Sequence, residues 1–265
     1  MPFLALNGID LFYDDHPGPR DDAPVIVFLH GAGGNHLSWW QQVPHFRTQY
    51  RCVTIDHRSY GASTDPKDEG WARYGEDLVG LLDHLGLDRV ALVAQSMGGR
   101  TAIDCAVRDP DRISAVVMGD TWGFFQWPEN QDRGARLNEQ PIADRVERGL
   151  PVMVAESFPE RDPERMFLYQ QVQALNVPFD QRPTPLDEES RTGGPSKDEV
   201  AALTVPILFL EGSEDIVVPP EVVRVTHEII PGSEYREVAG CGHSIYWEAP
   251  ETFNSLVSEF LAAHP

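Results

Sequence analysis

The sequence predicts an α/β fold, with a mainly parallel central sheet and helices on both of its faces. Short continuous apolar runs recur along the chain, which is typical of strands buried on both faces. Between these runs, apolar residues recur at three-to-four spacing, which predicts amphipathic helices. Because buried strands alternate with such helices, a parallel sheet covered on both sides is favoured.

The strands are predicted in order along the chain. The first two, residues 3–6 and 9–13, flank Asn7-Gly8, a pair that favours a tight hairpin turn. The acidic stretch 14–24 is predicted to be a surface loop. The remaining strands are predicted from the apolar runs at residues 24–29, 52–55, 90–93, 113–118 and 206–210, and from the short run at 235–239.

Helical spacing is clear over residues 71–85 and again over residues 253–261. The alternation of strands and helices lapses between residues 121 and 204, where only weak helical patterns occur, at 142–147 and 163–175. We therefore expect a core of residues 1–120 and 205–265, interrupted by a lid insertion over residues 121–204. Ligands bind at the carboxyl ends of the strands in open α/β sheets, so the lid is expected to cover that edge.

Composition limits the class of protein and its partners. The chain has 265 residues, 41% of them hydrophobic, which suits one large domain. Its formal net charge of −21 argues against nucleic acid and anionic membranes as partners. Neither a secretory signal nor an apolar run of roughly 20 residues is recognised. The three widely spaced cysteines predict no disulfide framework, so a cytoplasmic location is expected. No metal site and no cofactor loop is recognised.

Ser96 is the strongest candidate for a catalytic residue. It lies in the run Ala-Gln-Ser-Met-Gly-Gly at residues 94–99, directly after the strand predicted at 90–93. A serine at such a strand-to-helix turn holds its hydroxyl above the carboxyl edge of the sheet, exposed to substrate and to a base. The usual pattern is G-x-S-x-G, so Ala94 is a mild departure from it.

Three further elements follow other predicted strands. A glycine-rich turn at residues 30–34 follows the strand at 24–29, Asp215 follows the strand at 206–210, and His243 follows the run at 235–239. A serine hydroxyl needs an imidazole to take its proton, and the imidazole needs a carboxylate to fix its tautomer. The glycine-rich turn suits the donors that stabilise a developing oxyanion. Asp120, after the strand at 113–118, is a rival for the carboxylate.

These motifs, in this order, resemble those of the α/β-hydrolase superfamily, and the resemblance covers nearly the full chain. It rests on residues 30–31, 56–63, 94–99, 212–215 and 242–243. The resemblance implies an α/β-hydrolase fold with a helical lid insertion. The chain departs from the family pattern at Ala94 and at Ser59, where many relatives have glycine.

The resemblance also implies a role for each candidate residue. Ser96 is expected to be the nucleophile, His243 the base and then the acid, and Asp215 the carboxylate that orients the histidine. The backbone N–H groups of Ala32 and Met97 are expected to form the oxyanion hole. This machinery predicts a serine hydrolase that cleaves a small carboxylic ester or lactone, with an apolar small molecule as its partner. The oligomeric state stays open.

Two alternative functions are retained. A carbon–carbon bond hydrolase of ring-cleavage products is similar at residues 96–99, 241–243, 247–248 and 253–254. Against this alternative, Ser244 stands where those enzymes usually carry tryptophan, and the oxyanion loop is shorter. A ligand-sensing relative without efficient turnover is the second alternative. Six aromatic residues are assigned neither to a pocket nor to packing: Trp39, Trp40, Trp122, Phe124, Phe125 and Trp127.

Overall fold

The computed structural model describes residues 3–178 and 193–265. In this part of the chain, one eight-stranded sheet has the strand order β1-β2-β4-β3-β5-β6-β7-β8. The strands are Phe3–Leu6 (β1), Ile9–His16 (β2), Val25–Leu29 (β3), Arg51–Ile55 (β4), Val90–Gln95 (β5), Ile113–Gly119 (β6), Ile207–Gly212 (β7) and Glu234–Val238 (β8). Strands β3 to β8 pair in parallel, whereas β1 and β2 form an antiparallel hairpin and β2 pairs antiparallel with β4. The predicted α/β fold is confirmed.

The prediction of a surface loop over residues 14–24 is wrong in its first part. Strand β2 continues through Asp14 and Asp15 to His16, and these residues pair with β4. Their acidic character suggested a loop, but this end of β2 is only partly buried, so charged side chains are tolerated there. The Asp15 carboxylate also receives two hydrogen bonds from Arg51, at 2.8 and 2.7 Å.

Most of the helices lie between strands, and two follow β8. Within the described residues they are Gln42–Phe46 (α1), Tyr74–Leu85 (α2), Gly98–Arg108 (α3), Pro128–Glu147 (α4), Phe158–Arg161 (α5), Pro163–Ala174 (α6), Lys197–Ala201 (α7), Pro220–Ile229 (α8), Ile245–Glu248 (α9) and Pro250–Ala263 (α10). Short 3-10 helices cover His36–Trp39, Gly70–Arg73 and Pro110–Arg112. None of the helices in this part of the chain is both long and apolar enough to span a bilayer.

The apolar side chains form a layer on each face of the sheet. In β3, Val27 and Leu29 join one layer while Ile26 and Phe28 join the other, and the same alternation recurs in β5, β6 and β7. Successive side chains of a strand point to opposite faces, so a strand that is apolar at every position needs cover on both sides. Helices α2, α3 and α8 supply residues to the first layer, and α1 and α10 to the second.

Helices α4 to α7 lie between β6 and β7, in the stretch for which a lid is predicted. The bounds of that lid, 121–204, stay a prediction, and its residues 179–192 lie outside the described part. Asn138 of α4 donates to the carbonyl of Val217, which follows β7. Asn35, after β3, donates to the carbonyl of Val172 in α6. The described helices of this stretch therefore contact loops at the carboxyl ends of β3 and β7.

Candidate active site

The turn that carries Ser96 is a tight junction between β5 and α3. Ser96 has a φ of 47°, in the left-handed region, which non-glycine residues rarely adopt. Its carbonyl accepts a hydrogen bond from the Gly99 amide at 2.8 Å. A Cβ at Gly98 would lie 2.2 Å from the carbonyl oxygen of Leu29, so only glycine fits there. Ala94, by contrast, lies inside β5 and is fully buried, so the departure from the usual pattern is accommodated.

Ser96, His243 and Asp215 converge at this edge of the sheet although they are far apart in sequence. The Ser96 hydroxyl lies 2.8 Å from Nε2 of His243. Nδ1 of the same imidazole lies 2.7 Å from Oδ2 of Asp215. Because a carboxylate only accepts hydrogen bonds, the proton is on Nδ1, and Nε2 is free to accept from the serine. This tautomer is the one that a general base needs.

The Asp215 carboxylate is fixed by backbone amides as well as by the histidine. Its Oδ1 accepts hydrogen bonds from the amides of Val217 and Val218, at 2.7 and 3.0 Å. The rival carboxylate, Asp120, does not contact His243: its two oxygens accept from the amides of Gly212 and Ile245. Of the two candidates, the structure brings Asp215 to the imidazole.

Ala32 and Met97, the predicted oxyanion-hole residues, lie in one small apolar cluster with Tyr60, Tyr74 and Trp71. Met97 is fully buried directly after the serine, where α3 begins. The glycine-rich turn that carries Ala32 lies against Ser96, since a Cβ at Gly31 would come within 3.0 Å of the Ser96 Cβ. The turn and the start of α3 thus flank the serine from two sides.

Three residues to which the sequence reasoning gave no structural role hold the histidine loop in place. Gln95 donates from Nε2 to the carbonyl of His243 at 2.8 Å. Glu248 accepts from the amides of Gly242 and Ala155, at 2.9 and 3.0 Å. Burial raises the pKa of Glu248 to about 7. The available signals were positions in sequence, because Gln95 directly precedes Ser96 and Glu248 lies five residues after His243.

The third such residue is Ser244, which stands where carbon–carbon bond hydrolases usually carry tryptophan. Its hydroxyl donates to the carbonyl of Met153 at 2.8 Å and contacts the Tyr169 hydroxyl at 2.9 Å. Tyr169 belongs to α6, so this small side chain joins the histidine loop to the helices between β6 and β7. Tryptophan has no hydroxyl, so it could not both donate to Met153 and contact the Tyr169 hydroxyl as Ser244 does.

Three buried carboxyl groups lie together behind the histidine. Asp120, Glu211 and Asp215 are at most 4% exposed, and one oxygen of each lies within 4.8 Å of the others. Burial, followed by the charge of Asp215, raises the pKa values of Asp120 and Glu211 well above their usual range. Asp120 is far from the other two in sequence, so the sequence gave no sign of this cluster.

A cavity of about 500 Å³ opens beside the Asp215 loop. Trp122 and Phe124 line it, together with Trp71, Val217 and Val218. The six unassigned aromatic residues divide into three groups. Trp122 and Phe124 line the cavity and also pack against the core. Three others are buried in apolar packing and do not line it: Trp39, Phe125 and Trp127. Trp40 is 43% exposed and packs edge-on against Trp247.

Ser59, the second departure from the family pattern, has a φ of 69°. Glycine adopts this conformation without strain, which accounts for its frequency at this position in relatives. The Ser59 hydroxyl donates to Asp65 at 3.2 Å, and neither residue contacts the Ser96–His243 pair. The departure therefore lies outside the site.

Comparisons with known proteins agree with this geometry. Residues 24–250 match the model of the alpha/beta hydrolase fold family. A relative from Caulobacter sp. strain K31, named "Putative carbamate hydrolase RutD", is 28% identical, with 95% of this chain and 96% of the relative covered. A thermophilic esterase from Thermogutta terrifontis has a TM-score of 0.78 and 26% identity, over 99% of this chain and 97% of the esterase.

A second solved structure is similar over its whole length. The enol-lactonase from Burkholderia xenovorans LB400 has a TM-score of 0.79 and 25% identity, over 98% of this chain and 100% of the lactonase. The family match covers most of the sequence, including every segment on which the resemblance rested. The chain therefore belongs to the alpha/beta hydrolase fold family.

Proposed function

We propose that this chain is a serine hydrolase that cleaves a small carboxylic ester or lactone through an acyl-enzyme. The observation that carries the proposal is the unbroken hydrogen-bonded chain from the Ser96 hydroxyl through His243 to Asp215. The names of the similar esterase and enol-lactonase support the same bond class. Carbon–carbon bond hydrolysis is not favoured, since Ser244 replaces the usual tryptophan.

In the proposed reaction, Ser96 attacks the carbonyl carbon while its proton passes to Nε2 of His243. The amides of Ala32 and Met97 stabilise the oxyanion of the tetrahedral intermediate. Collapse of the intermediate expels the alcohol, which takes the proton from Nε2 and leaves the acyl group on the serine. Water, activated by the same imidazole, then releases the acid and restores the enzyme. Asp215 keeps the proton on Nδ1 throughout.

The cavity beside the Asp215 loop supports an apolar substrate. Its wall includes three aromatic residues and three valines, and its volume of about 500 Å³ suits a small ligand. Its polar wall residues, such as Asn138, lie on α4. In this proposal the cavity holds the apolar part of the ester or lactone, since Val217 and Val218 of its wall also donate their amides to Asp215.

The test is hydrolysis of p-nitrophenyl esters of increasing chain length and of lactones of increasing ring size. Ser96→Ala should abolish turnover because the attacking oxygen is lost, while the unfolding temperature stays close to that of the parent. Ser59→Ala is a matched control: it also removes a hydroxyl, but one outside the site, and should retain activity. Ester hydrolysis that survives Ser96→Ala would contradict the assignment. Strong ligand binding with no turnover by the parent would favour a ligand-sensing protein instead.

A further inference from the structure

Glu211 is a buried acid that has no role in the proposed reaction. It occupies the second-last position of β7, after four apolar residues, and is fully buried. Neither of its oxygens receives a hydrogen bond from an N–H or hydroxyl of the described residues. An ionised carboxylate in that environment would lack both solvent and donors, which costs several kcal/mol. The carboxyl is therefore neutral, and it carries a proton.

That proton needs an acceptor, and Asp215 provides it. One oxygen of Glu211 lies within 4.8 Å of an oxygen of Asp215, and both side chains are acceptors when ionised. The Asp215 oxygens accept from two amides and from His243, which leaves room for a further donor. Asp120 is less suited to carry the proton, because each of its oxygens already accepts from a backbone amide.

The surroundings of Glu211 favour a shared proton over a second negative charge. The titratable groups that face it are Asp120 after β6, Asp215 after β7, Tyr235 and Glu237 on β8, and His243 behind Asp215. None of these is a lysine or arginine. Burial and the Asp215 charge raise the pKa of Glu211 well above its usual range, in agreement with the missing donors.

We propose that Glu211 is a positioning residue, a neutral carboxyl that donates a hydrogen bond to Asp215 and so holds the triad carboxylate in its histidine-facing position. The proposal deepens the proposed function and depends on it for its effect on turnover. The effect on Asp215 is indirect, because Glu211 contacts the carboxylate and not the substrate. A hydrogen bond to a charged group contributes about 1.5 to 3 kcal/mol, which corresponds to roughly ten- to a hundredfold in rate.

Two variants separate the donor from the shape of the side chain. Glu211→Gln keeps a donor at the same position but has no proton to lose, whereas Glu211→Met keeps the length and removes the donor. We expect Gln to retain kcat for p-nitrophenyl acetate within about threefold, and Met to lose roughly tenfold or more. Equal kcat values for the two variants would overturn the proposal.

Two further measurements need no turnover, so they also apply if the proposed ester hydrolysis fails. The infrared difference spectrum between the parent and Glu211→Gln at pH 8 should show a protonated carboxyl band in the parent; its absence would overturn the proposal. The parent should also lose stability relative to Glu211→Gln as pH rises, because the folded state keeps a proton that the unfolded chain releases. We expect the Tm difference to grow by roughly 4 °C or more between pH 5 and pH 9.

The remaining explanation for a carboxyl cluster is a bound cation. Titration of the parent with Ca²⁺, Mg²⁺ or Zn²⁺ separates the two explanations. A cation that raises the Tm of the parent but not of Glu211→Gln would overturn the proposal, since the cluster would then be a metal site. An unchanged Tm for both proteins supports the shared proton. If Glu211→Met does not fold, the infrared, stability and cation measurements still decide.

Discussion

Asp215→Asn is the sharpest test of the hydrogen-bonded chain, because the structure fixes which way the new amide must face. Oδ1 of Asp215 accepts from the amides of Val217 and Val218, and only the carbonyl oxygen of asparagine can accept there. The NH₂ group is therefore directed at Nδ1 of His243. Since both groups cannot donate, Nδ1 becomes an acceptor and the imidazole proton moves to Nε2.

A proton on Nε2 blocks the base from taking the proton of Ser96. Disruption of the tautomer in such triads reduces rate on the order of a thousandfold to ten-thousandfold, which equals about 4 to 5 kcal/mol in the activation free energy. The volume of the side chain and the two amide contacts are retained, so the Tm should change little. We expect kcat for p-nitrophenyl acetate to fall by this factor at pH 7.5 while KM changes less than threefold.

Asp120→Asn is the matched control. It makes the same chemical change at a side chain that is fully buried and lies beside Asp215. The Asp120 oxygens accept from the amides of Gly212 and Ile245 and not from His243. One of its two backbone amides loses its acceptor, so stability should fall by about 1 to 3 kcal/mol while kcat stays within tenfold. A loss of kcat in Asp120→Asn equal to that in Asp215→Asn would refute the assignment of the triad carboxylate. So would an Asp215→Asn variant that retains a tenth of the parent activity.

Three further predictions concern the packing around the site. Arg58→Met should lower the free energy of unfolding, measured in urea, by about 3 to 5 kcal/mol. The reason is that Asp77 loses both of its hydrogen bonds from the arginine while it stays buried. The double variant Arg58→Met/Asp77→Leu should be more stable than Arg58→Met alone, because it leaves no unpaired buried charge. Gly98→Ala should lower both Tm and kcat, since its Cβ would lie 2.2 Å from the Leu29 oxygen, and normal values for both would contradict the close approach. For Glu248, whose pKa is raised to about 7, the folded state holds a proton that the unfolded chain releases above pH 4.5. Between pH 4.5 and pH 7.5, the free energy of unfolding of the parent should therefore fall by about 3 kcal/mol relative to that of Glu248→Gln. The measurement is urea unfolding of both proteins at each pH. A difference that does not change with pH would contradict the raised pKa.

The sheet was predictable from sequence because its strands are buried on both faces. Continuous apolar runs at 24–29, 90–93 and 113–118 give a strong signal, and the structure has β3, β5 and β6 there. The weaker case was the end of β2, where acidic residues pair with β4 in a partly buried position. The composition of a segment indicates how deeply it is buried, but it does not indicate which strand pairs with it.

The candidate triad was predictable because chain order and strand ends determine which side chains share an edge of a parallel sheet. The residues that support the triad could not be predicted from the sequence. Gln95, Glu248 and Ser244 make hydrogen bonds to backbone groups of other segments. Every residue has a backbone carbonyl, and all but proline have an amide N–H, so the sequence does not indicate which one a side chain will contact. Glu211 was hidden for a different reason. A single acid at the end of an apolar strand looks solvent-exposed until the topology places β8 and Asp120 beside it.

These supporting contacts connect the segment between β6 and β7 to the His243 loop. Glu248 accepts from Gly242, which precedes His243, and with its other oxygen from Ala155, between α4 and α5. The two segments pack so closely that a Cβ on Gly242 would lie 2.4 Å from the Ala155 amide nitrogen. Any movement of the segment around Ala155 must therefore break a buried hydrogen bond or move the histidine loop. The position of the imidazole thus depends on the packing of this segment as well as on Asp215.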